Sequence, residues 1–173
     1  MLEAATYSAR ERLRNGQGIE VRALRPDDRT EMLTAVGRLS AQSLSRRFFT
    51  PKRELMPEEI AFFLNVDFVS HVALVAALED GGQLAIVGGG RYIVSQPKMA
   101  ELAFAVVDPY QGQGIGAALL RHLAILARSA SIEVLTAEVL AENVGMLKVF
   151  DGSGLCVAKA RDAGVVHISL RLS

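Results

Sequence analysis

Apolar and charged residues alternate from Ile19 to Leu24, with Ile19, Val21 and Ala23 set against Glu20 and Arg22, which predicts a half-buried strand. The preceding residues, 1–18, are polar and read as an N-terminal arm of helical character, closed by Asn15-Gly16-Gln17-Gly18. Pro26-Asp27-Asp28 turns the chain into a helix with Met32, Val36 and Leu39 on one face. A short helix is expected over Ser40 to Phe49. Another starts at Pro57-Glu58-Glu59, with Ile60, Phe63 and Leu64 as its apolar stripe.

Downstream the period changes. Val72 to Leu78 and Leu84 to Val94 read as strands about a turn at Glu79-Asp80-Gly81-Gly82. Gly88-Gly89-Gly90 interrupts the second of them and predicts a bulge or a close backbone crossing. Ala100 to Val107 is the next strand, followed by a helix with Ile115, Leu119, Leu123 and Leu126 as its core stripe. A strand over Ile132 to Leu140, a short helix over Asn143 to Asp151, and strands over Leu155 to Ala160 and Val165 to Leu172 complete the chain. The order is β-α-α-α-β-β-β-α-β-α-β-β. It predicts an α/β (α+β) architecture in which one mixed sheet carries helices on both faces.

Composition narrows the partners. The 173 residues hold 19 lysines and arginines against 19 aspartates and glutamates, so the net charge is zero. That argues against a nucleic-acid or anionic-membrane partner held by bulk electrostatics. One cysteine, Cys156, excludes an internal disulfide and fits a reducing compartment. No apolar run reaches membrane-spanning length, and residues 1–17 lack the apolar stretch of a signal peptide. A cytoplasmic location is the expectation.

The chemistry concentrates in Asp108-Pro-Tyr-Gln-Gly-Gln-Gly-Ile-Gly-Ala117, which hands a strand to a helix through Gly112, Gly114 and Gly116. Glycines at such a junction allow a tight path, and a helix N-terminus offers unpaired N–H groups and a partial positive charge. The expected ligand is therefore a phosphate or pyrophosphate. A Walker loop would need Lys-Ser/Thr where Ala117-Ala118 stand, and a dinucleotide fingerprint would need a different glycine spacing. What remains, Gln111-x-x-Gly114-x-Gly116, resembles the pyrophosphate loop of the GNAT acetyltransferases.

The resemblance covers roughly residues 19–172 and implies the GNAT fold, with one central, mostly antiparallel sheet. In detail, Ala100 to Gly116, Ser45-Arg-Arg-Phe-Phe49, the stretches from Val66-Asp67 to Val75-Ala76, and Asn143 to Leu155 are similar to the catalytic domain of bacterial Pat-type protein lysine acetyltransferases. Some Pat-type proteins add a cyclic-nucleotide or acyl-CoA-synthetase-like module, and regulation by those modules is not carried over. By resemblance the donor is acetyl-CoA. Gln111, Gly112, Gln113, Gly114, Ile115, Gly116 and Ala117 would hold its pyrophosphate. Phe104, Ala105, Val106 and Val107 would line the pantetheine arm, and Asn143, Met146 and Phe150 would complete the cofactor site. Asn143 is also placed to cap a helix.

Glu101 is the candidate general base. It is a carboxylate in an apolar strand, on the same face as Ala103 and Ala105. An acceptor lysine has an ordinary pKa near 10.4 and needs a proton removed before it attacks. A partly desolvated glutamate suits that task; a solvated edge carboxylate or a salt bridge is the alternative. Many GNAT enzymes carry a tyrosine where this chain has Phe150, which donates no proton. Water, the ammonium proton, Tyr110 or Tyr92 are the remaining sources. The acceptor is expected to be a protein lysine, with a small-molecule amine or a non-catalytic acyl-CoA sensor as alternatives, in a monomer or homodimer.

Other polar residues carry weaker signals. His71 is read as a strand-end polar residue, with a place near the acceptor site as the alternative. His122 and His167 have no partners at metal-ligand spacing, so no metal is expected. Cys156 is read as a small buried hydrophobe, and Arg46-Arg47 as a solvated helix face, with guidance of an acidic acceptor or the CoA 3′-phosphate as the alternative.

Overall fold

The computed structural model describes residues 2–48 and 56–172. The described strands are β1 (Ser8–Arg12), β2 (Gly18–Ala23), β3 (His71–Asp80), β4 (Gln83–Gln96), β5 (Met99–Val106), β6 (Val134–Leu140), β7 (Cys156–Asp162) and β8 (Val165–Arg171). The helices are α1 (Arg29–Gly37), α2 (Ala41–Phe48), α3 (Pro57–Leu64), α4 (Ile115–Ser129) and α5 (Val144–Asp151). Phe49, the expected end of the second helix, lies outside the described residues.

The strands form one sheet in the order β1-β2-β3-β4-β5-β6-β8-β7. Every neighbouring pair is antiparallel except β5–β6. β3 is buried along both faces from His71 to Leu78, because helices cover each side. On one face Leu74, Leu102 and Phe104 pack with Leu119 and Leu123 of α4. On the other, Ala73, Val75, Ile86 and Val107 pack with Met32 and Ala35 of α1.

The glycine triplet shows both features expected of it. The β3–β4 register shifts between Ala76 and Ala77, and α4 lies against the strand. A Cβ on Gly88 would stand 3.0 Å from Ile115 Cγ2, and one on Gly90 3.0 Å from Leu123 Cδ1. Glycine there lets the helix approach closely.

Three expectations are corrected. Residues 8–12 are not helical but form β1, paired with β2 from Ser8↔Arg22 to Arg12↔Gly18. Glu11 meets Arg121 and His122, each at 2.8 Å, and the Tyr7 hydroxyl lies 2.6 Å from His122 Nδ1. These contacts clamp the strand to α4. Arg22 is not on a solvated face; it is 2% exposed and paired with Asp28. Cys156 is exposed rather than buried, because it opens edge strand β7, most of whose residues face solvent.

Candidate active site

The sheet forks where β5 and β6 run parallel. Their ladder holds only Met99↔Val134, Ala100↔Leu135 and Glu101↔Thr136. Beyond these pairs the strands part, and a cavity of about 560 Å³ opens between Leu102–Val106 and Ala137–Val139, reaching the loop and the start of α4. Strand edges left without a partner expose backbone groups to whatever enters.

The loop ends this cavity. Gly112 has φ +78° and Gly114 φ +100°, and Gly114 is the residue that precedes α4. A Cβ at either would touch nothing within 4 Å, so the backbone angle itself is what calls for glycine. Gly116 serves packing instead, its missing Cβ lying 3.4 Å from Val149 of α5. The first helical bond of α4 runs from the Ala118 N–H to Gly114 O at 3.0 Å. No side chain caps the helix. The N–H groups of Ile115, Gly116 and Ala117 therefore have no helical acceptor, and these residues line the cavity.

The cavity brings together Phe104, Ala105, Val106, Gln111, Gly112, Gly114, Ile115, Gly116, Ala117, Asn143, Met146 and Phe150. Val107 and Gln113 stand outside it. Val107 is buried in the α1-side core, with its N–H bonded to Val87 O, and Gln113 Oε1 accepts from Asn15. Gln111 turns its amide inward, donating to Val106 O at 2.9 Å and Ser43 Oγ at 3.1 Å, so its side chain braces the loop. Asp108 accepts from the Ser40 N–H at 2.9 Å and from the Ser40 and Ser43 hydroxyls, tying α2 to the same loop. Burial raises the Asp108 pKa, but those donors prevail and hold it below the ordinary value. Asn143 caps α5 through Met146 N, and Phe150 is buried, stacked 5.7 Å from Phe104.

The profile of the acetyltransferase (GNAT) family matches residues 39–154. The chain belongs to that family. Among its relatives is Acetyltransferase Pat of Mycolicibacterium smegmatis, 31% identical over 159 residues that make up 89% of this chain and 46% of the relative. Acetyltransferase PA5475 of Pseudomonas aeruginosa is 33% identical over 119 residues, 68% of this chain and 64% of the relative. The chain thus spans only part of each. The crystallised GNAT domain of S. lividans PAT is similar throughout, at TM-score 0.85 and 33% identity over 95% of this chain and 96% of that one.

Arg14 and Lys148, which the sequence did not single out, also reach this GNAT site. So do Arg46 and Arg47, which are not on a solvated helix face as expected because α2 turns them toward the cavity. The turn after β1 hangs over the loop: the Arg14 N–H donates to Gln113 O at 3.3 Å and its guanidinium to Gly112 O at 3.4 Å. Arg14, Arg46, Arg47 and Lys148 all line the cavity, giving it a cationic rim. Arg46 is paired with Glu142 at 2.8 Å.

The α1 face of the fork carries the rest. Cross-strand rows run His71↔Ile93↔Glu101 and Ala73↔Arg91↔Ala103, so these side chains share one face. Glu101 is exposed at the fork's apex and is not desolvated as expected. Arg47 of α2 and Arg91 stand 5.5 and 4.5 Å from the Phe63 ring centroid. Burial pushes both guanidinium pKa values down. Glu101 opposes this for Arg47, and Arg47 adds to it for Arg91. Both arginines remain charged at neutral pH.

His71 is buried and stacked 5.1 Å from Phe62, with Nε2 2.8 Å from Arg91 Nη1. Burial, then Arg91, push its pKa down from 6.5 to about 4 against the pull of Asp67. His71 is therefore neutral and accepts from Arg91. Unfolding would let it take up a proton below pH 6.5, so its contribution to stability is lost as pH falls from about 6.5 to 4. Urea melts of His71→Gln, which keeps an acceptor but does not titrate, should show a smaller drop between pH 7 and 5 than wild type. Equal drops would remove His71 as the cause.

Tyr92 is buried in the core and lines no part of this cavity, and burial pushes its pKa up to about 12. Tyr110 lines the cavity but directs its hydroxyl to Asp80 at 3.3 Å. Among the described residues no three His, Cys, Asp or Glu side chains gather as a metal site. No described helix is long and apolar enough to cross a membrane.

Proposed function

We propose that the protein is an acetyl-CoA-dependent N-acetyltransferase acting on a primary amine, foremost the side chain of a protein lysine. The observation that carries this reading is the fork between β5 and β6, ending on the uncapped, glycine-opened start of α4. The N–H groups of residues 115–117 would bind the pyrophosphate, with the rim arginines adding charge. The pantetheine would lie along the free edge of β5 as an added strand. Its acyl end would then reach Ala103 and Ala105, beside Glu101.

Direct transfer follows from that placement. The acceptor enters on the Glu101 face, and the carboxylate takes its proton directly or through water. The neutral amine attacks the thioester carbon, the C–N bond forms, and the C–S bond breaks. The thiolate takes a proton from solvent, since no tyrosine stands at position 150 and Tyr92 is buried. Arg47, coupled to Glu101, adds a positive field that disfavours an ammonium and so assists deprotonation.

Calorimetric titration with acetyl-CoA and with CoA tests the reading. One-to-one micromolar binding is expected, and a folded protein that binds neither would sink it. In the same titration Arg14→Ala should weaken both ligands by roughly three- to tenfold, with the difference shrinking as salt is added. Unchanged affinity would leave Arg14 as a turn residue only.

A further inference from the structure

A second cavity of about 100 Å³ lies on the α1 face and shares Ala103, Ala105 and Arg47 with the first. Under the acyl-CoA reading it therefore opens where the transferred acyl group sits. Its walls are apolar, formed by Met32 and Ala35 of α1 and by Ala73, Val75 and Ile86 of the sheet. Gly89, paired with Val75 and Ala105, keeps the floor open; a Cβ there would meet only Leu74 O, at 3.6 Å.

One wall of this apolar space carries a charge. Arg91 lies between Ala73 and Ala103 in the ladder, and its two hydrogen bonds both leave from Nη1, to Phe63 O at 3.1 Å and to His71 Nε2. Both acceptors are neutral, and among the described residues no carboxylate forms an ion pair with Arg91. No buried side-chain nitrogen lacks a partner among the described residues, so the remaining guanidinium nitrogens are accessible, and Arg91 lines the cavity. A half-buried cation held only by neutral groups is poorly compensated, and a planar guanidinium edge matches a carboxylate.

We propose that this cavity receives a short acyl chain ending in a carboxylate, so that the protein transfers a dicarboxylic acyl group such as succinyl. The methylenes would lie against Val75, Ile86 and Ala35, and the terminal carboxylate against Arg91. A cavity of this size holds several water-sized groups, which suits a chain of a few heavy atoms rather than a peptide. The cavity shares Ala103 and Ala105 with the donor site, so the donor's own acyl group would reach it from the thioester. The transfer itself is unchanged: the amine nitrogen bonds to the thioester carbon, CoA leaves as the thiol, the amine proton goes to the base, and the distal carboxylate stays intact.

The test is calorimetric binding of acetyl-, butyryl- and succinyl-CoA to the full chain. Butyryl- and succinyl-CoA have acyl chains of equal carbon count and differ in the terminal carboxylate. Succinyl-CoA should bind roughly tenfold or more tightly than butyryl-CoA, and Arg91→Met should bring that ratio near one while leaving acetyl-CoA affinity unchanged. Gly89→Val, which fills the cavity floor, should weaken the two longer donors and spare acetyl-CoA. The proposal fails if succinyl-CoA binds no better than butyryl-CoA, or if the preference survives in folded Arg91→Met. It also fails if Arg91 affects only the KM of acceptor peptides with an acidic neighbour, which would assign the carboxylate to the acceptor. Binding of none of the three would instead remove the acyl-CoA reading, and this proposal with it.

Discussion

Glu101→Gln is expected to lower kcat by about two to four orders of magnitude, with the acetyl-CoA Kd unchanged within twofold. Glutamine keeps the shape and the hydrogen-bonding oxygen but accepts no proton at neutral pH. Glu101 lies beyond the residues that line the cofactor cavity, so donor binding should not sense the change. Because the carboxylate is exposed, it would work as a base through its place on the acceptor face rather than through burial. High pH should restore part of the variant's rate as the acceptor amine deprotonates unaided. A variant that turns over at the wild-type rate at pH 7 would remove Glu101 from the chemistry. Loss of acetyl-CoA affinity together with kcat would show a structural role instead.

Strong periodicity and glycine placement made the centre of the fold readable. β3 to α4 follows from two apolar runs, a hairpin turn and a strand that enters a glycine loop, and the fork needs only one parallel pair after that loop. Gly112 and Gly114 were legible because left-handed backbone selects for glycine whatever surrounds it. β1 was not legible, since an edge strand carries charges such as Arg10, Glu11 and Arg12 that resemble a solvated helix. With β1 hidden, the turn that brings Arg14 over the loop was hidden too. Arg91 was unremarkable in sequence, a single charge within an apolar run. Only the cross-strand partners Ala73 and Ala103 reveal what it faces. Nothing in the sequence set a direction for the Gln111 side chain, and its amide bonds to Val106 O. A motif position fixes which residue is needed, and its side-chain direction is settled only by packing.

Asp28→Ala should destabilise the fold by about 3–5 kcal/mol, the largest stability effect expected of a single substitution here. Arg22 is fully buried on the α1 face of β2, and Asp28 receives it in a two-point pair at 2.7 and 2.9 Å. Asp28 also accepts the Arg25 N–H at 2.7 Å, which fixes the short 3-10 turn at Pro26–Asp28 that leads into α1. Burial raises the Asp28 pKa, but the Arg22 guanidinium and that N–H prevail, so the carboxylate stays ionised and its support is lost only as pH falls through the acid range. Alanine leaves the buried guanidinium with only Glu20, 4.0 Å from Nε, as a paired carboxylate, and at roughly 2–4 °C per kcal/mol for a chain of this size Tm should fall by about 6–20 °C. The pair's net worth is a separate quantity. Replacing both partners, as Arg22→Met with Asp28→Ala, removes the stranded charge and should recover much of the loss, leaving about 1–2 kcal/mol for the missing turn contact and imperfect filling. Urea denaturation of the two single variants and the double variant measures the coupling directly. If Asp28→Ala alone costs under about 1 kcal/mol, Arg22 has found water or another acceptor, and the pair does not anchor α1 to the sheet.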